Sequence, residues 1–320
     1  MRKKIKIFCT LGPSSLNKSF LKFSNKNVSL LRLNMSHIKL SKLASTIKYI
    51  MRYSNVPICI DTEGSQIRTK SSKTKFFKIN NLLNIYKSNN DFTLYPNYVF
   101  DKLRVGDILN IGFRGLVLKI NRVSRKVIKT IVTNPGYLEN NKGVHVENRK
   151  VKLNYLTEKD IESIKIAKKY KIKYFALSFT NNHRDMIKFN NLLKNRIKIF
   201  KLETKNALIN IKKILNRGDK FLIDRGDLSK DISIEMIPIA QRKIISLGKK
   251  MKKDIYVATN FLESMLENNY PTRGEVNDIY NTLELGSKGL VLAAETAIGK
   301  FPISSVKFLK KIIKIFIQYN

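Results

Sequence analysis

The hydrophobic positions of the chain fall into short apolar runs that alternate with amphipathic helical patterns. The first three apolar runs lie at residues 4–10, 28–34 and 57–61. A helical spacing follows the second run, at Leu40, Leu43, Ile47 and Ile50. Side chains at this spacing share one face of a helix, whereas short apolar runs bounded by turn residues are typical of buried strands. The opening of the chain therefore predicts strand–helix units.

The pattern changes between residues 70 and 152, where the helical spacing stops. Short strand-like pieces separated by Gly, Asn and Pro replace it, at residues 105–111, 116–123 and 127–133. Such pieces indicate a small antiparallel β module. Strand–helix alternation resumes at Leu156, where Thr157 and Asp160 are typical of a helix start.

Five more strands are predicted in the second half, at residues 174–179, 197–202, 221–223, 255–259 and 289–292. With the first three they make eight strands, nearly all followed by a helix. This arrangement indicates an α/β protein with a (β/α)8 TIM barrel and a small all-β domain inserted after strand 3. We place the barrel at residues 1–69 and 153–320, and the inserted β-barrel lid domain at residues 70–152.

Candidate chemistry begins with Lys201 and Glu203 at the end of the strand 197–202. Residues two apart on a strand point to the same face, so these two side chains project together. Asp227 follows the next apolar run. Carboxylates suit magnesium and lysine suits phosphate, so the three residues predict a site for a divalent cation and a phosphate. An ordinary surface salt-bridge cluster is the alternative.

The barrel prediction weakens that alternative, because active sites of such barrels lie at the carboxyl ends of the strands. Those ends supply mostly charged and hydrogen-bonding residues: Arg32, Asn34, Ser36, Asp61, Thr62, Arg68, Ser178, Lys201, Glu203, Asp227, Thr259 and Glu295. They come from seven different strands, and scattered surface residues would not be expected to collect there.

The charge balance is strongly basic. The 320 residues include 62 Lys and Arg against 24 Asp and Glu, a net charge of +38. A charge of this size suits nucleic acid or another polyanion. The basic residues are spread along the whole chain, however, without an arginine-rich arm, a zinc-knuckle spacing or an aromatic–basic motif. A general drift of composition towards Lys, Asn and Ile explains this distribution better, so no nucleic-acid partner is predicted.

The remaining composition points to the cytoplasm. No apolar run is long enough to span a bilayer, and residues 1–8 lack the apolar core of a signal peptide. Cys9 and Cys59 both lie in strand-like segments, which favours buried thiols in a reducing compartment over a disulfide or a metal site. We therefore expect no membrane partner.

Ordered motifs along nearly the whole chain resemble those of the pyruvate kinase family. They lie at residues 4–15, 31–37, 61–69, 142–144, 156–160, 201–203, 225–228, 258–265, 271–275 and 295–300. For example, Lys201-Leu-Glu203 is similar to the family's Lys-Ile-Glu. The resemblance implies a phosphotransferase that moves phosphate from phosphoenolpyruvate to ADP, giving pyruvate and ATP in the last step of glycolysis.

The resemblance also implies a role for each matching residue. Catalysis would involve Lys201, Arg32 and Thr259. The divalent cation, Mg²⁺ or Mn²⁺, would be held by Glu203 and Asp227. A monovalent K⁺ would be held by Asn34, Ser36, Asp61 and Thr62. Substrate and phosphate would be bound by Arg32, Arg68, Lys201, Gly226, Asp227 and Thr259, with the backbone near Ala294. The nucleotide would be bound by His37, Arg68 and Lys142, although an ordinary surface histidine explains His37 equally well.

Several positions depart from the family's pattern. Glu63 replaces a lysine and Gln66 replaces a glutamate, which leaves the K⁺ requirement open. Asp224 stands where a small residue is usual, beside the metal segment. Arg114 reverses a charge that would face the nucleotide cleft. Smaller exchanges lie at Thr204 and Asn260.

Two other functions stay open at this level. One is a metal-dependent lyase or decarboxylase of a 2-oxo acid on the same scaffold, and the other is a degenerate, non-catalytic relative. Because the chain ends at Asn320, after the eighth helix, we expect the family's C-terminal domain and its effector site to be absent. Homo-oligomer formation is left open.

Overall fold

The computed structural model describes residues 5–88, 91–112 and 115–320. Within that part the chain forms two compact units. The larger unit takes the described residues up to Gly64 together with Glu158–Asn320, and the smaller unit takes those of Ser65–Thr157. The boundaries between the units therefore lie at 64/65 and 157/158. The expected boundaries were 69/70 and 152/153, so the smaller unit extends five residues further at each end. The first boundary moves because the strand Ile67–Ser71 pairs within the smaller unit.

The strands of the described residues are, in chain order, β1 Lys6–Thr10, β2 Leu30–Asn34, β3 Ile58–Asp61, β4 Ile67–Ser71, β5 Lys75–Phe77, β6 Leu82–Tyr86, β7 Phe92–Tyr95, β8 Ile108–Ile111, β9 Val117–Val123, β10 Val127–Asn134, β11 Gly136–Leu138, β12 Gly143–Val146, β13 Tyr174–Leu177, β14 Ile197–Leu202, β15 Lys220–Asp224, β16 Asp254–Ala258 and β17 Gly289–Leu292.

The α-helices are α1 Lys18–Asn27, α2 Leu40–Tyr53, α3 Glu158–Lys169, α4 His183–Leu193, α5 Lys205–Ile209, α6 Ile211–Leu215, α7 Arg225–Leu228, α8 Ile237–Lys250, α9 Arg273–Glu284, α10 Ala294–Ala297 and α11 Pro302–Tyr319. Short 3-10 turns lie at Asn97–Lys102, Ile234–Met236 and Glu263–Leu266.

Eight parallel strands close into the barrel of the larger unit, in the order β1, β17, β16, β15, β14, β13, β3 and β2. In the pair β14–β15, for example, Lys201 lies opposite Leu222. Parallel neighbours need a crossover connection, and helices provide it in this unit. The predicted (β/α)8 barrel, with an all-β segment inserted after strand 3, is confirmed.

One apolar layer of the barrel interior receives a residue from every barrel strand. Its members are Phe8, Leu30, Cys59, Ala176, Ile199, Leu222, Tyr256, Ala258 and Val291. Side chains alternate between the two faces of a strand, so the residue two positions further on points inward again, closer to the carboxyl end. Six of those positions hold buried polar residues, here called the polar layer: Thr10, Arg32, Asp61, Ser178, Lys201 and Asp224. The interior therefore changes from apolar to charged within a single step along the strands.

Several helices begin at side chains that accept backbone hydrogen bonds. Helix α1 begins after Asn17, which accepts the N–H of Phe20 at 3.0 Å. Helix α9 begins with a capping box, in which Thr272 and Glu275 each accept the other's backbone N–H. Such caps satisfy N–H groups that have no partner inside the helix.

The smaller unit is a closed barrel of β10, β6, β7, β4, β12, β8 and β9, with β5 and β11 forming a separate two-stranded antiparallel sheet. Its core includes the fully buried side chains Ile85, Leu109, Leu118, Ile128 and Val132. The strand-like pieces noted in the sequence form β8, β9 and β10. Arg114 lies outside the described residues, so the charge reversal expected there stays a prediction.

Across the residues that the structure describes, no helix is both long and apolar enough to cross a bilayer. Cys9 on β1 and Cys59 on β3 are buried free thiols, as the sequence predicts. Burial raises the pKa of both thiols well above the ordinary value.

Candidate active site

The polar layer concentrates charge at one end of the barrel. Arg32 and Lys201 provide two buried positive charges, and Asp61 and Asp224 provide two buried negative charges. These residues lie on β2, β14, β3 and β15, far apart in sequence. The carboxyl ends of parallel strands meet at the same end of a barrel, which is why the fold brings them together.

Lys201 lies at the centre of this group. Its Nζ atom is 2.6 Å from Glu203 Oε1, 3.3 Å from Asp61 Oδ2 and 3.4 Å from Asp224 Oδ2. It also lies 3.3 Å from Ser178 Oγ. Burial by itself lowers the pKa of Lys201, but the three carboxylates outweigh burial and raise it above the ordinary value. The lysine is therefore a permanent cation.

Arg32 is fixed by two neighbouring strands. Its Nε donates to Thr10 Oγ1 at 2.9 Å, and its Nη1 lies 3.1 Å from Asp61 Oδ2. Asp224 Oδ2 is further away, at 3.9 Å from the same nitrogen. Although Nη1 is buried and close to Asp61, its orientation there is not that of a hydrogen bond. One buried guanidinium nitrogen is thus available to an anionic oxygen.

Glu203, Asp224 and Asp227, here called the carboxylate cluster, could share a metal ion. Each offers one oxygen, and the three oxygens lie within 4.8 Å of one another. Glu203 Oε1 is buried and accepts no hydrogen bond, although Lys201 Nζ is close. Anionic oxygen ligands fit a hard divalent cation such as Mg²⁺ or Mn²⁺. The structure brings together Glu203 and Asp227, which the resemblance assigned to that cation.

The backbone fixes the geometry of the cluster. Phe179 N–H donates to Glu203 Oε2 at 2.6 Å, which leaves Oε1 turned towards Lys201. Asp227 is half-buried on α7, and its Oδ1 lies 2.7 Å from Lys230 Nζ. Burial raises the pKa of Glu203 above its ordinary value; Lys201 opposes that rise, and the other two members of the cluster add to it. Closely spaced acids of this kind favour a bound cation.

The four residues expected to hold K⁺ meet at the ends of β2 and β3. Asn34 lies opposite Asp61 in the strand pairing, and its Oδ1 accepts the N–H of Ser36 at 3.0 Å. Ser178 Oγ is 3.1 Å from Asp61 Oδ1, and Ser178 N–H donates to Thr62 Oγ1 at 3.0 Å. The structure thus places the four residues at neighbouring strand ends, and their assignment to a monovalent ion stays a prediction.

Thr259 is held in an unusual backbone conformation directly after β16. Its φ is +74°, in the left-handed region that β-branched residues rarely adopt. Its Oγ1 accepts the N–H of Gly226 at 2.9 Å. Arg225 donates to the Thr259 carbonyl oxygen through both Nε and Nη2, and pairs through Nη1 with Asp278 at 2.7 Å. The guanidinium therefore clamps the strained residue in place.

Other predicted residues lie outside the polar layer. Arg68 and Lys142 belong to the smaller unit, where Lys142 Nζ pairs with Glu139 at 3.2 Å. His37 is exposed in the turn after β2 of the larger unit. Gln66 also belongs to the smaller unit, and its Oε1 is buried without a hydrogen-bond partner. The roles expected for these residues stay predictions.

Glu63, a departure from the family's pattern, is neutralised locally. Its Oε1 lies 2.8 Å from Lys159 Nζ. Asp160 accepts the N–H of Glu63 at 2.7 Å and that of Gly64 at 3.0 Å. The chain that leaves β3 is therefore tied to the first turn of α3.

The sequence analysis assigns no role to two residues of the site, Asp224 and Arg225. Asp224 ends an apolar strand in the same way as the predicted site residues do. Arg225 was read only as part of a motif, and its clamp on Thr259 depends on a backbone conformation that the sequence does not reveal. For Asp224 the signal was present, since it lies two residues after the inward-facing Leu222.

A family model for the barrel domain of pyruvate kinase matches residues 2–306 of the chain. The chain belongs to the pyruvate kinase family. The resemblance seen in the ordered motifs is thereby confirmed.

Nearly the whole chain is similar in sequence to named pyruvate kinases. Pyruvate kinase of Thermotoga maritima is 32% identical over 98% of this chain and 71% of its own length. Pyruvate kinase of Methanocaldococcus jannaschii is 33% identical over 98% of this chain and 70% of its own length. Plastidial pyruvate kinase 3 of Arabidopsis thaliana is 30% identical over 96% of this chain, which spans 57% of that relative.

Proposed function

We propose that this chain transfers the phosphoryl group of phosphoenolpyruvate to ADP, giving pyruvate and ATP. The proposal depends above all on the buried pairing of Lys201 with the carboxylate cluster, at the strand ends of a pyruvate kinase barrel. In this reaction the bond between phosphorus and the enol oxygen breaks, and a bond to a terminal oxygen of ADP forms. The enolate that remains takes a proton at its methylene carbon.

Lys201 and Arg32 would bind the phosphoryl oxygens. Phosphoryl transfer requires alignment and neutralisation of charge more than covalent chemistry. Both cations are buried and already oriented by Asp61, so little reorganisation is needed when charge develops on the transferred group. Their low-dielectric surroundings strengthen each electrostatic contact.

Glu203 and Asp227 would hold the divalent cation. When bound, this cation would neutralise the phosphate and help to align it with its acceptor. The N–H of Phe179 orients Glu203 by donating a hydrogen bond to its Oε2. Asp227 follows Gly226, whose N–H is engaged by Thr259, so the metal segment and Thr259 are positioned together.

Thr259 would lie beside the carbon that is protonated. Its hydroxyl is oriented by the Gly226 N–H and lies 2.6 Å from the Ala258 carbonyl oxygen. The clamp by Arg225 keeps it there. We further propose His37, Arg68 and Lys142 for the nucleotide, and a cytoplasmic setting for the enzyme, on the strength of the family resemblance alone.

The test is a coupled assay on the purified protein that measures pyruvate and ATP independently. We expect ATP formation that requires phosphoenolpyruvate, ADP and a divalent cation, measured with and without K⁺. The variant Lys201→Ala serves as the inactive control. Absence of ATP, together with metal-dependent decarboxylation of oxaloacetate without ADP, would contradict the proposal and favour the lyase alternative.

A further inference from the structure

Asp224 occupies a position inside the barrel from which it can reach a bound cation. It ends β15, two residues after the inward-facing Leu222, and is 5% exposed. Residues with this spacing point to the same face of a strand, so Asp224 lies in the polar layer beside Lys201. Glu203 is 1% exposed and extends one step beyond that layer.

The spacing of the cluster suits a single ion. Ligand oxygens about 2.1 Å from a Mg²⁺ ion are about 3 Å apart when adjacent and about 4.2 Å apart when opposite. One oxygen each from Glu203, Asp224 and Asp227 lies within 4.8 Å of the other two. These separations are close to those of ligands on one ion, so rotation of the side chains could bring all three oxygens to one cation.

Two further observations point to a positive ligand. Glu203 Oε1 is buried, and it has no hydrogen-bond partner beyond its ion pair with Lys201 Nζ at 2.6 Å. Among the buried groups that the structure describes here, three carboxylates, Asp61, Glu203 and Asp224, face only two cations, and Asp227 adds a fourth acid at the edge. Burying uncompensated negative charge is costly, and a divalent cation removes that cost.

Asp224 is not needed as the ion-pair partner of the two buried cations. Asp61 Oδ2 already lies 3.1 Å from Arg32 Nη1 and 3.3 Å from Lys201 Nζ. Asp224 Oδ2 lies further from Arg32 Nη1, at 3.9 Å, and at a similar distance of 3.4 Å from Lys201 Nζ, which also pairs with Glu203 at 2.6 Å. Its carboxylate can therefore turn to a metal without leaving either cation unpaired.

We propose that Asp224 is a third carboxylate ligand of the divalent cation held by Glu203 and Asp227. The inference rests on the proposed function, because it concerns the same cation. A third anionic ligand raises affinity, since the charge of the ligands largely sets the affinity of such sites. The cation then binds the free enzyme firmly and does not need substrate oxygens to hold it.

The experiment titrates Mn²⁺ into the protein without phosphoenolpyruvate or ADP and follows free Mn²⁺ by electron paramagnetic resonance. Asp224→Asn is compared with Glu295→Gln, which removes a buried negative charge that lies outside the carboxylate cluster and pairs with neither Lys201 nor Arg32. We expect Asp224→Asn to weaken Mn²⁺ binding by about tenfold or more, and Glu295→Gln to weaken it much less. Equal weakening in the two variants would show that the loss of any buried negative charge is enough, and would overturn the proposal.

A second measurement uses the unaltered protein, in case either variant folds poorly. A Mn²⁺ ion that binds three carboxylates keeps one water ligand fewer than an ion that binds two. We expect ¹⁷O hyperfine broadening, which counts the water ligands of bound Mn²⁺, to give the lower number. The higher number would overturn the proposal. Neither measurement needs catalysis, so loss of the proposed kinase activity would leave this test intact. Binding of Mn²⁺ through Asp224 in an inactive protein would contradict the proposed function alone.

Discussion

Lys201, on β14, and Glu203, directly after β14, lie side by side inside the barrel, with Lys201 Nζ 2.6 Å from Glu203 Oε1. Both side chains are nearly completely buried. A phosphate-binding cation and a metal-binding anion thus share one strand end, two residues apart. Because a strand is rigid, the distance between the two charges is fixed before any ligand arrives.

The variant Lys201→Ala tests the role of that lysine. We expect kcat to fall by about 10²–10³-fold, the loss typical of removing one preorganised electrostatic group. Divalent cation binding should persist, because Glu203, Asp224 and Asp227 remain. The measurement is kcat in the coupled assay beside a Mn²⁺ titration of the same preparation.

Lys220→Ala is the matched control for this variant. Lys220 lies at the opposite end of the neighbouring strand β15, where its Nζ pairs with Asp254 at 2.8 Å. Its removal should leave kcat nearly unchanged. Near-normal turnover in Lys201→Ala would take this lysine out of the mechanism.

The hydroxyl of Thr259 is tested by Thr259→Val and Thr259→Ser. Valine keeps the shape but leaves the N–H of Gly226 without its acceptor, at a cost of about 1–3 kcal/mol. We expect kcat/KM for phosphoenolpyruvate to fall about tenfold or more in Thr259→Val and to recover in Thr259→Ser. Equal activity of the two variants would show that the hydroxyl has no part in positioning the metal segment.

Much of the barrel and of its site follows from local patterns. Period-two alternation on short apolar runs gives the strands, and the rule for barrel active sites selects their carboxyl ends. Lys201 and Glu203 were predicted to project together on this basis, and they do. The same reasoning applies to Asp224, which ends β15 two residues after the inward-facing Leu222.

The rest depends on contacts between distant parts of the chain. For example, Asp160 accepts the N–H of Glu63, which lies 97 residues earlier in the chain. The clamp of Arg225 on Thr259 depends on a left-handed backbone that no local signal announces. Sequence patterns find elements, but they do not determine such pairings.

Asp160 should contribute strongly to stability. It is fully buried and accepts the N–H groups of Glu63 and Gly64, where the chain leaves β3. In Asp160→Asn an amide nitrogen replaces one accepting oxygen, so one buried N–H loses its partner. We expect the free energy of unfolding to fall by about 2 kcal/mol, measured by urea denaturation.

A matched control lies in the same helix, α3. Glu162 is exposed and pairs only with Lys165 among the contacts described, at 2.6 Å. Glu162→Gln should change the free energy of unfolding by less than about 0.5 kcal/mol. Amide exchange at Gly64 gives a local reading, and it should accelerate in Asp160→Asn but not in Glu162→Gln.

Glu275 gives a prediction about acid stability. Its carboxylate accepts the backbone N–H groups of Ser264 and Thr272, at 2.7 Å each, and both of their hydroxyls. Burial by itself raises the pKa of Glu275, but the hydrogen bonds outweigh burial and hold the pKa below its ordinary value. The ionised side chain therefore joins the start of α9 to the preceding turn.

A carboxyl group whose pKa is lowered by folding stabilises the protein fully at pH values above its unfolded pKa. That contribution is lost as the pH falls through the lower, folded value. We expect Glu275→Gln to reduce the free energy of unfolding by about 1 kcal/mol at neutral pH, as for loss of a helix cap, and by much less in acid. Urea denaturation at both pH values measures this difference.

The exposed Glu267, paired with Lys300, provides the control, since Glu267→Gln should have little effect at either pH. A constant effect of Glu275→Gln from neutral to acid pH would mean that the ionised carboxylate does not hold α9 in place, and that the neutral side chain is enough.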